Sequence, residues 1–223
     1  MVLNEIIELV GNDILEIFGK SGTGKTSFAL TLVNEALNSK KNVLYIDTEK
    51  NLKKEPQCDY VYIASMQSLY NYIVGEKKYA EKKYDIIVLD SLGATVLGEF
   101  ATMDMKERGS ALLKAEAITY TLKVYSHTNN AFVLIINQPE SEFGKPSNYR
   151  LEPFGDKHIY FVKEVWESKR LDTSNQYATV CNISAFRSRI FGRDTLLYQL
   201  TISGSPDKVN CSIVNKWRPN TKQ

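Results

Sequence analysis

A glycine-rich run at residues 19–26, G-K-S-G-T-G-K-T, has the composition and spacing of a phosphate-binding loop. Gly19, Gly24, Lys25 and Thr26 occupy the fixed positions of the pattern G-x-x-x-x-G-K-[ST]. Such a turn, between a strand and a helix, aims backbone N–H groups at a phosphate, and the helix N-terminus adds partial positive charge. We therefore predict nucleoside triphosphate binding by Gly19, Lys20, Ser21, Gly22, Thr23, Gly24, Lys25, Thr26 and Ser27.

Three further polar residues follow apolar runs that are predicted to be strands. Glu49 follows the second strand, Asp90 ends the fourth and Gln138 follows the fifth. In an open α/β sheet, ligands bind at the carboxyl ends of the strands. We predict that Asp90 holds Mg²⁺ together with Thr26, although an acid ending a strand is also a common turn residue.

The candidate catalytic residues are Lys25, Glu49 and Gln138. Lys25 would reach the β- and γ-phosphates. Glu49 would polarise the attacking water, because hydrolysis needs a carboxylate near the γ-phosphate but away from the metal. The alternative for Glu49 is an ordinary surface residue in a loop. Gln138 could hydrogen-bond the γ-phosphate and sense its loss.

The elements that would position these residues alternate between strands and helices up to residue 139. Strands are predicted at 14–18, 43–46, 60–63, 86–89 and 132–136, and helices after residue 26, at 66–79 and around 111–125. This alternation is typical of a parallel sheet with right-handed crossovers. Beyond an irregular stretch at 139–157, strands at 159–166, 177–183, 196–202 and 211–214 predict an antiparallel extension on one edge. We expect a single α/β domain over residues 1–223.

Composition limits the possible classes of protein. The 223 residues are 43% hydrophobic and 24% charged, with a net charge of +2, so a nucleic-acid surface would have to be a local patch. The three cysteines are widely spaced, which argues against a disulfide framework or a zinc site. The longest clean apolar run, 131–136, is too short to span a bilayer, and the acidic residues 1–13 do not form a signal peptide. We expect a cytoplasmic protein with no membrane association.

Four segments in order, GKSGTGKT, VLYIDTE, YDIIVLDS and VLIINQ, resemble the core of the RecA-type recombinase family, in particular the archaeal RadA recombinases and their shorter paralogues. The resemblance covers about residues 3–203. It implies a RecA-like P-loop NTPase fold, ATP and Mg²⁺ as ligands, and roles for Glu49 and Gln138 as catalytic base and γ-phosphate switch. The D-T-E and N-Q segments are more specific than the phosphate loop, since other nucleotide-binding families rarely carry both.

The resemblance also implies binding of single-stranded DNA. Residues 139–157 match the family's second DNA-binding loop, and 93–109 match the region of the first. The candidate DNA contacts in the second loop are Lys145, Tyr149, Arg150 and Phe154. Aromatic rings in such a loop can stack on bases, although loop aromatics also pack locally. The same loop carries four acidic residues, so it is not strongly basic.

Arg187 and Arg189 fall where oligomeric relatives carry a basic pair that reaches the γ-phosphate of the neighbouring subunit. They are candidate trans-acting fingers; alternatively, they protect an exposed strand edge with charge. About a dozen residues precede the first strand, so we expect a possible homo-oligomer but no long filament. The main recombinase is the expected protein partner.

The leading hypothesis is thus a Mg²⁺-dependent ATPase that binds single-stranded DNA and modulates homologous recombination and repair. The alternative is a KaiC-like signalling or scaffold ATPase that needs no DNA. A small-molecule phosphotransferase would normally carry an arginine-rich lid, which the sequence lacks.

Overall fold

The computed structural model describes residues 1–97, 103–139, 158–171, 178–203 and 210–217. Its strands are β1 (Ile14–Phe18), β2 (Val43–Asp47), β3 (Asp59–Tyr62), β4 (Ile86–Asp90), β5 (Phe132–Asn137), β6 (Glu164–Leu171), β7 (Ala178–Arg187), β8 (Leu196–Ser203) and β9 (Asn210–Asn215). Its α-helices are α1 (Val2–Val10), α2 (Lys25–Asn38), α3 (Met66–Tyr70), α4 (Ala94–Leu97) and α5 (Met105–Asn129). None of these helices is long and apolar enough to cross a bilayer.

The strands form one sheet in the order β3-β2-β4-β5-β1-β6-β7-β8-β9. The six strands from β3 to β6 in this order pair in parallel, and β7, β8 and β9 continue the sheet in antiparallel fashion. The prediction of a mainly parallel sheet with a C-terminal antiparallel extension is confirmed. One detail was wrong: the strand predicted at 159–166 begins at Glu164 and pairs in parallel with β1, after a 3₁₀ turn over His158–Phe161.

The central strands are apolar on both faces because layers cover both sides of the sheet. Ile14 and Phe18 of β1 pack in the layer that contains α3 and α5. Leu15 and Ile17 point to the opposite layer, which contains α1, α2 and the inner face of the antiparallel strands. The phosphate loop therefore leaves a strand that is fixed on both faces and lies between β5 and β6.

The remaining differences from the predicted elements concern helices. The helix α1 was not predicted; its Leu3, Ile6 and Val10 are fully buried in the layer shared with α2. The helix predicted at 66–79 is α-helical only to Tyr70 and continues as a π-helical turn to Gly75. In addition, α5 begins at Met105 behind a capping box, so it starts earlier than the helix predicted around 111–125 and includes the end of the 93–109 segment.

Candidate functional site

The phosphate loop connects β1 to α2 and approaches the neighbouring strands closely at two glycines. A Cβ at Gly19 would lie 2.3 Å from the backbone oxygen of Ser168 on β6. Gly24 has φ +83°, and a Cβ there would lie 2.7 Å from Cδ2 of Leu200 on β8. These contacts explain why both positions need glycine. The loop is thus seated against β6 and β8 as well as against its own strand.

Lys25 lies inside the loop and is only 8% exposed. Its Nζ donates hydrogen bonds to the carbonyl oxygens of Gly19 at 2.7 Å and of Lys20 at 2.9 Å. Burial lowers the pKa of Lys25, while the nearby carboxylates of Glu49 and Asp90 favour the charged form. The ammonium is therefore held over the loop, close to the two acids that the sequence predicted to share its site.

Asp90 and Thr26 meet as predicted. The Thr26 hydroxyl donates to Oδ2 of Asp90 at 2.8 Å, and the buried Tyr45 hydroxyl donates to the same oxygen at 2.6 Å. Burial raises the pKa of Asp90 to about 6, against the opposing effect of the two hydroxyl hydrogen bonds. A hydroxyl and a carboxylate are the hard oxygen donors that Mg²⁺ takes in proteins together with substrate phosphates, so this pair fits the expected metal.

Glu49 lies beside Gln138 at the same edge of the sheet. Its Oε1 accepts hydrogen bonds from Ser91 Oγ at 2.8 Å and from Gln138 Nε2 at 3.2 Å. Its Oε2 accepts one from Asn51 Nδ2 at 2.9 Å. Three hydrogen bonds thus define the orientation of the Glu49 carboxylate. Glu49 and Gln138 meet even though they are 89 residues apart in the chain. The two supporting donors, Ser91 and Asn51, were not predicted.

Asp47 shapes the turn that carries Glu49. Its Oδ1 accepts from the backbone N–H groups of Glu49 and Lys50, both at 2.9 Å, and its Oδ2 accepts from the Tyr60 hydroxyl at 2.7 Å. Asp47 and Asp90 are directly paired across β2 and β4, so the two turns leave the sheet at the same level. Strand register, combined with side-chain capping, therefore brings Glu49 to the phosphate loop.

These residues surround one cleft of about 250 Å³. Its lining includes the predicted Ser21, Gly22, Gly24, Lys25, Thr26, Ser27, Glu49, Asp90 and Gln138, together with Asn51, Thr179 and Ile202. The other loop residues, Gly19, Lys20 and Thr23, contact Lys25 or the loop backbone. The cleft therefore combines backbone N–H groups, a cation, an oxygen donor pair and a carboxylate that is not part of that pair.

Arg187 and Arg189 lie away from this cleft. Arg187 ends β7 and pairs with Val165, which pairs with Glu16 in the middle of β1. Because β7 is antiparallel to β6, the chain after Arg187 continues toward the amino end of β1, whereas the phosphate loop follows its carboxyl end. Both arginines are exposed. The Arg187 guanidinium lies 5.4 Å from the ring centre of the exposed Tyr160 and donates to the Ile159 carbonyl oxygen at 3.3 Å. Neither arginine lines the cleft of its own chain, and their role as trans-acting fingers stays a prediction.

The four candidate DNA contacts, Lys145, Tyr149, Arg150 and Phe154, lie outside the described residues. Pro139 and His158 are the described residues on either side of that segment. The DNA-binding prediction therefore stays a prediction.

Comparison with known proteins gives two kinds of match. A family model described as "AAA domain" matches residues 12–181. A "DNA repair and recombination protein RadB" from Methanococcus maripaludis is 26% identical over 179 residues, which cover 71% of this chain and 79% of the relative. The protein of the same description from another strain of that species is 26% identical over 172 residues, with the same coverage. These matches confirm the resemblance to short RadA paralogues.

Proposed function

The chain belongs to the AAA domain family, and from that premise we propose that it is a Mg²⁺-dependent RecA-type ATPase that binds single-stranded DNA and modulates homologous recombination. One observation carries the ATPase part of the proposal. Glu49 lies in the same cleft as Lys25, Thr26 and Asp90, and it directly contacts Gln138. A catalytic carboxylate, a metal pair and a γ-phosphate sensor are thereby assembled around one phosphate loop.

Each residue has a distinct part in hydrolysis. Lys25 and the loop N–H groups bind the phosphates of ATP, and Thr26 and Asp90 would hold Mg²⁺, which would neutralise phosphate charge. Glu49 orients the attacking water and accepts its proton, and hydrogen bonds from Ser91 and Asn51 hold its carboxylate in place. Gln138 contacts Glu49 in the described structure and can donate its amide to the γ-phosphate.

Binding of single-stranded DNA is proposed from the resemblance to the recombinase core, and the description of the RadB relatives as DNA repair and recombination proteins supports a role on DNA. We assign it to the segment with Lys145, Tyr149, Arg150 and Phe154, which follows the sensor Gln138 directly. Nucleotide state and DNA contact would then be linked through a few residues of chain. The main recombinase is the proposed partner, since the relatives are recombination proteins and this chain resembles a recombinase core.

An assay of ATP hydrolysis and DNA binding tests both parts. We expect Mg²⁺-dependent hydrolysis that Lys25→Ala abolishes, and binding of a fluorescent oligonucleotide that weakens steeply between low and moderate salt. If the oligonucleotide does not bind at low salt, with or without ATP, the DNA part is wrong. In that case a KaiC-like ATPase remains, and sizing with and without ATP would show whether nucleotide drives self-association through Arg187 and Arg189.

A further inference from the structure

A buried carboxyl group, that of Glu16, lies in the middle of β1, two residues before the strand ends at Phe18. Glu16 is 0% exposed, and it points into the same layer as its apolar neighbours Ile14 and Phe18. Burying a carboxylate among apolar side chains is costly unless hydrogen bonds compensate for the lost water. The hydrolysis mechanism above does not use Glu16, so its hydrogen bonds indicate another role.

Two residues from distant parts of the chain supply these hydrogen bonds. Asn137 Nδ2 donates to Oε1 of Glu16 at 2.9 Å. His158 Nε2 lies 3.0 Å from Oε2 and 3.2 Å from Oε1, and the His158 ring is only 2% exposed. The Asn137 amide NH₂ can only donate, and His158 Nε2 lies within hydrogen-bond distance of both carboxyl oxygens. The Glu16 carboxyl group therefore contacts both the end of β5, through Asn137, and His158, which lies shortly before β6.

Asn137 also connects this cluster to the cleft. Its Oδ1 accepts a hydrogen bond from the backbone N–H of Gln138 at 3.0 Å. The side chain of Gln138 in turn contacts Glu49 at 3.2 Å. A continuous chain of hydrogen bonds and one peptide unit thus runs from Glu16 through Asn137 and Gln138 to Glu49.

We propose that Glu16 is a positioning residue. By holding Asn137 and His158, it keeps Gln138 in contact with Glu49 and at a fixed place beside β1, the strand that leads into the phosphate loop. This inference rests on the proposed function, because Gln138 and Glu49 have catalytic roles only in an ATPase. Glu16 acts through Gln138 and touches neither the phosphates nor the metal pair. Its loss should therefore slow turnover and leave ATP affinity nearly unchanged.

The test compares Glu16→Gln with Asp13→Asn. Asp13 directly precedes β1 and contacts Lys123 and His127. It therefore controls for the loss of a partnered carboxyl group next to this strand. Because small misplacements of catalytic groups are costly, we expect kcat to fall about tenfold or more in Glu16→Gln, and to stay within about twofold in Asp13→Asn. The KM for ATP should change little in both variants.

Epistasis separates positioning from a general structural role. In a Gln138→Ala background, Glu16→Gln should lower kcat no further, since its effect passes through Gln138. An equal fold-loss in both backgrounds, or an unchanged kcat in Glu16→Gln, would overturn the proposal. If Glu16→Gln does not fold, His158→Gln is tested in the same two backgrounds and must show the same dependence.

Hydrogen exchange measured by mass spectrometry keeps this test independent of ATPase activity. In Glu16→Gln, peptides that contain the end of β5 and the start of β6 should exchange faster, whereas peptides from β4 should not change. If wild-type protein hydrolyses no ATP, the proposed function fails, and the exchange result still decides whether Glu16 holds the two segments. Unchanged exchange in both segments would contradict the inference even in an active enzyme.

Discussion

Replacing Asp90 by asparagine should stabilise the nucleotide-free protein at neutral pH. Burial raises the pKa of Asp90 to about 6 in the folded protein, against 3.8 for an exposed carboxyl. The folded state then binds more protons than the unfolded state between these two values, so stability falls as the pH rises through this window. Ionisation of Asp90 therefore lowers the free energy of unfolding by about 3 kcal/mol at pH 7.5 and by about 1 kcal/mol at pH 4.5.

An asparagine can keep the hydrogen bonds that hold this side chain. The hydroxyls of Tyr45 and Thr26 both donate to Oδ2 of Asp90, and an amide oxygen in that place accepts from both. The substitution therefore removes the buried charge with little loss of contact. We expect the variant to be more stable by about 1–3 kcal/mol at pH 7.5. The gain is at the lower end of this range if the amide NH₂ finds no hydrogen-bond acceptor in the place of Oδ1.

Urea unfolding of the nucleotide-free, Mg²⁺-free proteins at pH 7.5 and 4.5 measures this effect. Asp59→Asn is the control with the opposite sign, because hydrogen bonds from Lys82 and then Tyr84 hold the pKa of Asp59 below its ordinary value. That variant should be less stable than wild type at pH 7.5, and the deficit should be nearly the same at pH 4.5, because this pH still lies above the ordinary pKa of 3.8 and the lowered pKa of Asp59. The reasoning is refuted if Asp90→Asn is destabilising at pH 7.5, or if its advantage does not shrink on acidification.

Two further predictions concern the loop and the arginines. Gly19→Ala places a Cβ against the Ser168 carbonyl oxygen and should cost about 1–3 kcal/mol in urea unfolding and weaken binding of a fluorescent ATP analogue; unchanged stability and affinity would show that β6 yields at this contact. If Arg187 and Arg189 act across a subunit interface, mixing Lys25→Ala protein with the double variant Arg187→Ala/Arg189→Ala should restore ATPase activity that neither has alone. Failure of the mixture to recover activity argues that the pair only protects the strand edge.

The strand ends of the site were predictable because each polar residue interrupts or ends an apolar run. Asp90 ends β4 and Gln138 follows β5, and the lack of alternation in both buried strands indicates parallel pairing. Their meeting with Glu49 then follows from the general position of ligand sites in open α/β sheets. For this part of the molecule, local pattern and one rule of topology were sufficient.

Residues that depend on strand register were missed. Tyr45 looks like one more apolar residue of β2, and only the pairing of β2 with β4 shows that its hydroxyl reaches Asp90. Glu16 was visible as a polar interruption in β1, but its partners Asn137 and His158 are 121 and 142 residues away. Sequence periodicity carries no information about contacts at such separations.

The N-terminal helix and β6 were misjudged for a different reason. The spacing of Leu3, Ile6 and Val10 does mark one helical face, yet the helix is short and its stability comes from packing beside α2. The segment before β6 is a 3₁₀ turn whose apolar residues imitate a strand. In both places tertiary packing decides the local structure.

Turnover by the Glu49→Gln variant tests whether Glu49 is the catalytic base of ATP hydrolysis. Glutamine keeps the size of Glu49, and its amide oxygen can still accept the hydrogen bond from Ser91, but it cannot accept a proton from water. ATP affinity and hydrolysis are measured on the same preparations of variant and wild type. The affinity of the variant for ATP should stay within about threefold of wild type, and its hydrolysis should be slower by about a hundredfold or more. Equal turnover in the two proteins would contradict this role of Glu49.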